Sequence, residues 1–385
     1  MLLYRCWSAS APVALVAFAM TWPARAETPE ARAARHGADA ALMEAEADAE
    51  LPPPEVTVDI WRVPVTKPYA VRQADMLRLG VEQELASPAA RDAQRQSARL
   101  RGAALQADAQ SRSRELSQRL AHARADQEQV ERSHQVHQQH LALAERTLTL
   151  AQARHGAGGA LSEVTLAQLE ASRARAELAG DQARAASTDE VVTTLVAAGV
   201  VEWRSDSGER PELAALRLSR EAELQSARSE RARSGWPDFR VGVSYFAPTQ
   251  ARDEHGFGVT LGMKLPWAWG AKAGKARAAQ SRAEAFEAER AAKLRDLQTD
   301  AAVVRGQLLA AEASLRVTRE QTLPLAEQNQ KLALASYESS AGKLEDALRA
   351  EALHLEIQME IVRLEAEIAH LKIDVRYLEG GKHVR

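Results

Sequence analysis

The chain has 385 residues, of which 27% are charged and 4% aromatic, and its formal net charge at pH 7 is -3. Alanine, leucine, arginine and glutamate dominate, a composition typical of long helices and coiled coils. Because acidic and basic residues are interspersed without a basic block, no nucleic-acid partner is expected.

The first 26 residues have the pattern of a secretory signal peptide. Arg5 precedes a short apolar segment, 11–22, and a small-x-small cleavage site follows at 24–26. The only cysteine, Cys6, precedes the apolar segment and lies within the predicted signal peptide. The processed chain is therefore expected to have no thiol for disulfides, metal binding or catalysis. No later run of about 18 apolar residues occurs, so no membrane helix is expected.

The first half of the processed chain, 27–198, is predicted to contain a β-hairpin after a short helix. Its strands are expected at about 55–65 and 75–86, where apolar residues alternate with polar residues or glycine. The alternating apolar residues are Val56, Val58 and Ile60 in the first strand and Leu77, Leu79 and Val81 in the second.

Two long helical rods are predicted to follow, at about 89–155 and 161–198. Between Arg91 and Arg154 there is no proline and one glycine, and apolar residues recur in steps of three and four. Such heptad spacing indicates helices that pack on each other as coiled coils. The segment 199–211 contains turn-forming residues and is predicted to be a linker.

The second half, 212–385, repeats this organisation and contains the clearer hairpin. Strands are predicted at about 238–247 and 256–266, and rods at about 271–337 and 343–379. Period-two alternation over about ten residues suits a tilted strand that crosses a membrane with its apolar side toward lipid. The residues predicted to face lipid are Phe239, Val241, Val243, Tyr245, Val259, Leu261 and Met263. A soluble hairpin packed on a helix is the alternative.

An internal repeat with a period near 182 residues relates the two halves. Segment 141–153 matches segment 323–335 at seven of thirteen positions, and a glycine-containing break follows each copy. Two hairpins give four strands, which cannot close a barrel alone, and open strand edges are not tolerated in hydrocarbon. Two copies would give eight strands, a barrel that side chains fill, whereas three copies would give twelve strands, enough to enclose a lumen, so a conduit favours the trimer.

The chain resembles the TolC family of outer-membrane efflux proteins, with the heavy-metal efflux branch as one candidate within it. The resemblance rests on segments 210–213 (RPEL), 236–238 (WPD) and 265–270 (LPWAWG), and on Tyr337 followed by Gly342. It implies a mainly α-helical fold in which antiparallel coiled coils form a periplasmic tunnel. It also implies a trimeric, twelve-stranded barrel in the outer membrane of a Gram-negative cell.

The same resemblance implies a partner set and a gate. The partners would be two further copies of the chain, a periplasmic adaptor and an inner-membrane pump. The chain would then be a passive exit duct of a tripartite efflux or type I secretion system. Family members often close the tunnel with carboxylates beyond the tip turns, which assigns Glu163 and Asp346 to the gate, and the matching tip motif assigns Tyr337 to the tip. Helix-stabilising carboxylates are the alternative for Glu163 and Asp346.

Other functions have less support in the sequence. His134, His137 and His140 are three residues apart on a predicted helix and are candidate metal ligands. The alternative is that His134 and His137 are polar positions in a helical packing seam, where such residues commonly set the register. No nucleophile motif, phosphate-binding loop or HExxH motif is recognisable, so neither an enzyme nor a cofactor is expected. The remaining alternatives are a periplasmic coiled-coil adaptor and a structural envelope protein without channel activity.

Overall fold

The computed structural model describes residues 29–48, 53–61, 76–85, 87–201, 209–236, 238–248, 256–264 and 269–379. The predicted signal peptide and residues 202–208 of the predicted linker lie outside this part of the chain. So do 62–65, 75, 86 and 265–266 at the ends of the predicted strands.

The fold is mainly helical, with four strands arranged as two hairpins. In chain order the elements are α1 (Pro29–Asp48), β1 (Glu55–Trp61), β2 (Met76–Leu85), α2 (Pro88–Gly156), α3 (Leu161–Ala197), α4 (Pro211–Gly235), β3 (Asp238–Pro248), β4 (Gly256–Lys264), α5 (Trp269–Val317), a π-helix (Thr318–Thr322), α6 (Leu323–Glu338) and α7 (Leu344–Glu379). The predicted fold class, long helices with four strands, is confirmed.

Helix α2 begins at a defined cap and runs for 69 residues, a length of about 100 Å. The hydroxyl of Ser87 accepts a hydrogen bond from the Ala90 amide, and Pro88 occupies the first helical turn. Proline suits this position because its missing N–H has no helical partner there. In the part of the chain that the structure describes, no helix is long and apolar enough to cross a membrane.

Small side chains hold the helices together. Helix α2 packs against α1, α3, α4 and α7, and the residues it buries are mostly alanine and serine. Ser97 donates a hydrogen bond to the Ala222 carbonyl on α4, and Ser229 on α4 donates one to the Ala90 carbonyl, both at 2.9 Å. Side chains of this size let two backbones approach closely, so the interhelical contact includes direct side chain-to-backbone bonds.

The rod predicted at 271–337 is not one continuous α-helix. A π-helix at Thr318–Thr322 separates α5 from α6, and the Leu323 amide donates to the Thr318 carbonyl five residues earlier. Pro324 follows immediately and has no N–H to continue the α-helical ladder. The π turn therefore accommodates a proline inside a long rod, which heptad spacing alone does not predict.

The four strands form a single antiparallel sheet in the order β1-β2-β3-β4. The two hairpins are joined because β2 pairs with β3 along its whole length, from Met76 opposite Pro248 to Leu85 opposite Phe239. Strands from opposite halves of the chain thus become neighbours, and β1 and β4 form the two edges.

Candidate channel wall and helical tip

The sheet has one apolar face, and that face is exposed in the isolated chain. Relative exposures are 82% for Phe257 and 76% for both Val259 and Leu261. Val56 and Val81 on the other hairpin are also exposed. A continuous apolar surface of this kind indicates a region that contacts lipid or another protein.

The strand register places all of the predicted lipid-facing residues on this face. Phe239 pairs with Met263, Val241 with Leu261, Val243 with Val259, and Tyr245 with Phe257. Phe239, Val241 and Tyr245 are partly covered by neighbours; Trp236 packs edge-on against Phe239 at a centroid distance of 5.7 Å. The structure therefore places these seven residues together on one surface.

The opposite face carries charged side chains linked across the strands. Arg78 donates a 2.8 Å hydrogen bond to the Thr260 hydroxyl and forms ion pairs with Asp59 at 3.3 Å and Glu82 at 3.4 Å. Arg240 lies 3.7 Å from Glu82. This network joins β1, β2, β3 and β4, so the polar face is a hydrated or internally paired surface rather than a packed core.

Glycines on the polar face make room for larger side chains on the neighbouring strand. A Cβ atom on Gly258 would lie 2.7 Å from the Phe246 ring, and one on Gly80 would lie 2.7 Å from the Thr57 hydroxyl. Such contacts are too short for any other residue without rearrangement. The alternation of glycine with apolar residues is therefore explained by close cross-strand contacts on one face.

Tyr337 is the centre of the helical tip and is fully buried there. Its ring packs with Leu344 and Ala347 of α7 and with Val164 of α3. The guanidinium of Arg154 lies over the ring, 4.4 Å from the centroid. The tip is thus a small core shared by four helices from both halves of the chain.

The tip hydrogen bonds distinguish the two predicted gate carboxylates. The Tyr337 hydroxyl donates to Glu163 Oε2 at 3.1 Å, and burial together with this bond raises the pKa of Tyr337. Glu163 is half-buried, whereas Asp346 is exposed in the first turn of α7. Both residues lie in the first turn of their helices, α3 and α7 respectively, but only Glu163 accepts a hydrogen bond from the tyrosine.

The two tip turns are similar but not identical. In the first, Gly159 donates to the Arg154 carbonyl and Gly158 has a positive φ of 101°. In the second, Gly342 donates to the Ser336 carbonyl, and Ser340 has the positive φ, 62°. The second turn is one residue longer, and a serine occupies a backbone conformation that favours glycine.

The start of α4 is anchored to the end of α7 by the RPEL segment. Arg210 donates to the Leu378 carbonyl at 2.7 Å and pairs with Glu212, and its guanidinium also lies near the Tyr377 ring. Burial acts to raise the pKa of Glu212, but the hydrogen bond to Arg210, a backbone hydrogen bond and the positive charges of Arg210 and Arg114 together lower that pKa overall. These contacts give the segment a structural role.

The three candidate histidines on α2 do not form one site. His134 is half-buried and hydrogen-bonds Gln138, whereas His137 Nδ1 lies 2.6 Å from Asp181 Oδ2. His140 is buried among carboxylates of α3 and α7; burial lowers its pKa although Glu170 and Glu177 act in the opposite direction.

Several interacting residues were not recognised from sequence. Glu351 on α7 is 5% exposed, and its burial together with the nearby Glu170 raises its pKa to about 7. His122 and His370 are stacked between α2 and α7, and their Nδ1 atoms are 2.6 Å apart. The sequence indicates such residues only by placing a polar side chain at a heptad seam position. This pattern does not identify the partner, which lies more than 200 residues away in the chain.

Comparison with known proteins shows similarity in structure only. No family model matches the chain, and no curated protein matches it in sequence. Solved structures of outer-membrane proteins match over 92% of the chain, so the chain has the fold of outer-membrane channels. The fold implied by the TolC-family resemblance is confirmed.

Three structures illustrate the similarity. The outer membrane protein VceC from Vibrio cholerae is 21% identical, with a TM-score of 0.74 over 93% of its own length. CusC is 13% identical with a TM-score of 0.74 over 90% of its length. The open state of the MtrE outer membrane channel of Neisseria gonorrhoeae is 15% identical, with a TM-score of 0.70 over 86% of its length.

Proposed function

We propose that this chain is the outer-membrane channel component of a tripartite efflux or type I secretion system. It would act as a passive duct across the periplasm and the outer membrane of a Gram-negative cell. The observation that carries the proposal is the two-faced sheet, whose apolar face is exposed and whose polar face holds a charged network. In a water-soluble periplasmic adaptor or structural coiled coil, this apolar face would be exposed to water, which is unfavourable.

The open edges of the sheet support a trimer. Among the described residues, β1 pairs only with β2, and β4 only with β3. Unpaired edges in hydrocarbon cost several kcal/mol per backbone group, so the edges need partner strands. Pairing β4 of one copy with β1 of the next would close a barrel, and three copies would give twelve strands around a lumen. The helical rods would continue that lumen into the periplasm.

The helical tip is the part of the chain that we propose for docking of partners and for closure of the tunnel. We assign adaptor and pump contacts to the helical end around Tyr337, and gating to Glu163 and Asp346. In a trimer, up to six carboxylates would approach each other at this end and attract cations. The hydrogen bond from Tyr337 would position Glu163, while Asp346 would remain free to rotate.

Membrane fractionation and conductance measurements together test the proposed function. The full-length chain, expressed in a Gram-negative host, is expected in the outer-membrane fraction and as a trimer by mass measurement in detergent. The purified protein should produce discrete conductance steps in planar bilayers. A soluble monomer would overturn the proposal, and a membrane-bound trimer without conductance would favour a structural protein.

A further inference from the structure

One cluster of buried titratable side chains has no part in the proposed channel function. It is formed by His140 of α2, Glu170 and Glu177 of α3, and Glu351 of α7, and is called the Glu351 cluster below. His140 and Glu351 are each only 5% exposed. Glu351 lies one helical turn after Ala347, which belongs to the core of the helical tip. The cluster therefore joins helices from both halves of the chain directly beside the tip.

Several buried atoms of the Glu351 cluster have no hydrogen-bond partner. Within the described part of the chain, these atoms include both ring nitrogens of His140, Oε1 of Glu351 and Oε2 of Glu177. Nε2 of His140 lies 3.5 Å from Glu351 Oε1 and 3.6 Å from Glu170 Oε1. Both distances are longer than those of good hydrogen bonds. An ionised Glu351 would therefore hold Oε1 in the interior without a hydrogen bond to stabilise its charge.

The charges around Glu351 also oppose its ionisation. Burial and the negative charge of Glu170 together raise the pKa of Glu351 to about 7. Burial lowers the pKa of His140, although Glu170 and Glu177 act in the opposite direction. Both shifts favour the uncharged form of the buried group. His140 therefore does not provide a positive charge that would stabilise an ionised Glu351 near neutral pH.

The helices around the Glu351 cluster bring further charged groups, each with a partner of its own. They are His137 of α2 with Asp181 of α3 at 2.6 Å, Arg173 with Glu177 of α3 at 3.1 Å, and Lys331 with Glu327 of α6 at 4.0 Å. The charges of the α6 pair act on His354 of α7. Among the described residues, the basic group within 4 Å of Glu351 is His140. Ionisation of Glu351 would therefore leave a buried negative charge without a cation to offset it.

We propose that the Glu351 cluster is a pH-sensitive contact, which holds α7 against α2 and α3 while Glu351 is protonated and loosens when Glu351 ionises. A protonated carboxyl group can donate a hydrogen bond, so it can pair with Glu170 or with the His140 ring after a small rotation. In the ionised state two carboxylates, Glu170 and Glu351, approach the same ring nitrogen and repel each other. Separation of α7 lets water reach both carboxylates. Because Ala347 is only one turn away, the loosening would extend to the core of the tip.

The direction of the pH dependence follows from the raised pKa of Glu351. The packed state binds this proton more tightly than an opened state, in which the carboxyl group has its ordinary pKa of 4.5. The stabilisation is therefore complete below pH 4.5, decreases as the pH rises, and is lost above about pH 7. His140 acts in the opposite direction, but only below its ordinary pKa of 6.5, because its pKa is lowered. Of these two groups, only Glu351 loosens the contact as the pH rises through neutrality.

Hydrogen exchange of the α7 amides, followed by mass spectrometry on the full-length protein in detergent, measures this loosening. Glu351→Gln keeps the shape of the side chain but cannot ionise. Both proteins are compared at the same pH, so the intrinsic exchange rates cancel. In segment 344–358, the exchange rate of the unmodified protein divided by that of Glu351→Gln is expected to rise by about 10- to 100-fold from pH 5 to pH 8. Glu170→Gln removes the neighbouring negative charge and should also slow exchange at pH 8.

Glu356→Gln is the matched control because Glu356 is an exposed glutamate on the same helix, and its exchange ratio should not change with pH. In a His140→Gln background, Glu351→Gln should give the same rise. The proposal is overturned if neither Glu351→Gln nor Glu170→Gln protects α7 at pH 8. It is also overturned if His140→Gln abolishes the rise, since the histidine would then be the titrating group. The measurement does not require a conducting channel, so this proposal and the proposed function can fail separately.

Discussion

The apolar face of the sheet gives the sharpest test of the membrane assignment. Leu261 lies in β4 opposite Val241, is 76% exposed in the isolated chain, and neighbours Thr260 on the opposite face. A charged residue at position 261 would face lipid in the proposed barrel. Arginine near the middle of a bilayer costs about 2–4 kcal/mol per chain, which lowers the equilibrium constant for folding and insertion by about 30- to 1000-fold.

Thr260 supplies the matched control, and the polar network determines which substitution to use. Thr260→Arg would add a guanidinium beside Arg78, which already donates to the Thr260 hydroxyl. Thr260→Glu instead places a carboxylate near Arg78, a partly exposed pair whose contribution is about 0–1 kcal/mol. Leu261→Glu carries the same new charge on the apolar face, at a cost somewhat below that of arginine.

The assay measures how much protein reaches the outer-membrane fraction as a trimer, and how much denaturant unfolds it from lipid vesicles. We expect the order of damage Leu261→Arg, then Leu261→Glu, then Thr260→Glu, with the last close to the unmodified protein. Equal assembly of all three variants would refute the assignment of the faces. Greater damage from Thr260→Glu than from Leu261→Glu would mean that the apolar face is not in lipid.

Three further predictions concern the helical part. Ser340→Gly should stabilise the tip by about 0.5–1 kcal/mol, because φ at this position is +62°, a conformation that favours glycine. Ser339→Gly should destabilise the tip, because φ at that position is -76°. Melting curves of both variants in detergent measure the difference. Glu212→Gln should lower stability at neutral pH. Because the fold lowers the pKa of Glu212, its ionised carboxylate stabilises the fold at pH values above the ordinary pKa of 4.5, and this contribution is lost as the pH falls. The variant and the unmodified protein should therefore converge in acid, and an unchanged difference in unfolding midpoint from pH 7 to pH 3 would contradict this. Replacing both Glu163 and Asp346 with glutamine should raise conductance in planar bilayers and weaken block by multivalent cations. Tyr337→Phe removes the hydrogen bond to Glu163 but keeps the charge of Glu163, so this variant should retain the cation block.

The segmentation of the chain could be predicted from sequence because it depends on local chemistry. Strand alternation and proline placed the strands and the main helical breaks within a few residues of the observed ones. The heptad pattern likewise indicated long packed helices. The π-helix before Pro324 was missed because a single proline in a regular seam can be accommodated in several ways.

The sites were less accessible to sequence reasoning. The three histidines on α2 share a spacing of three residues, yet only His137 and His140 are buried and face the same carboxylate, Glu177, whereas His134 is half-buried and bonds Gln138. Glu351 gave no signal, since a glutamate on a long polar helix is ordinarily exposed. Its burial depends on where α7 packs against α2 and α3.

Apart from the π-helix, the sequence by itself determined the order of the elements, their approximate bounds and the apolar side of each strand, since these follow from periodicities of two and about 3.5 residues. Only the tertiary structure decided that the two hairpins join through β2 and β3, that Tyr337 holds Glu163, and that Glu351 faces His140. These contacts connect residues from about 160 to more than 200 positions apart. Their geometry depends on how whole helices and strands pack, which local periodicity does not specify.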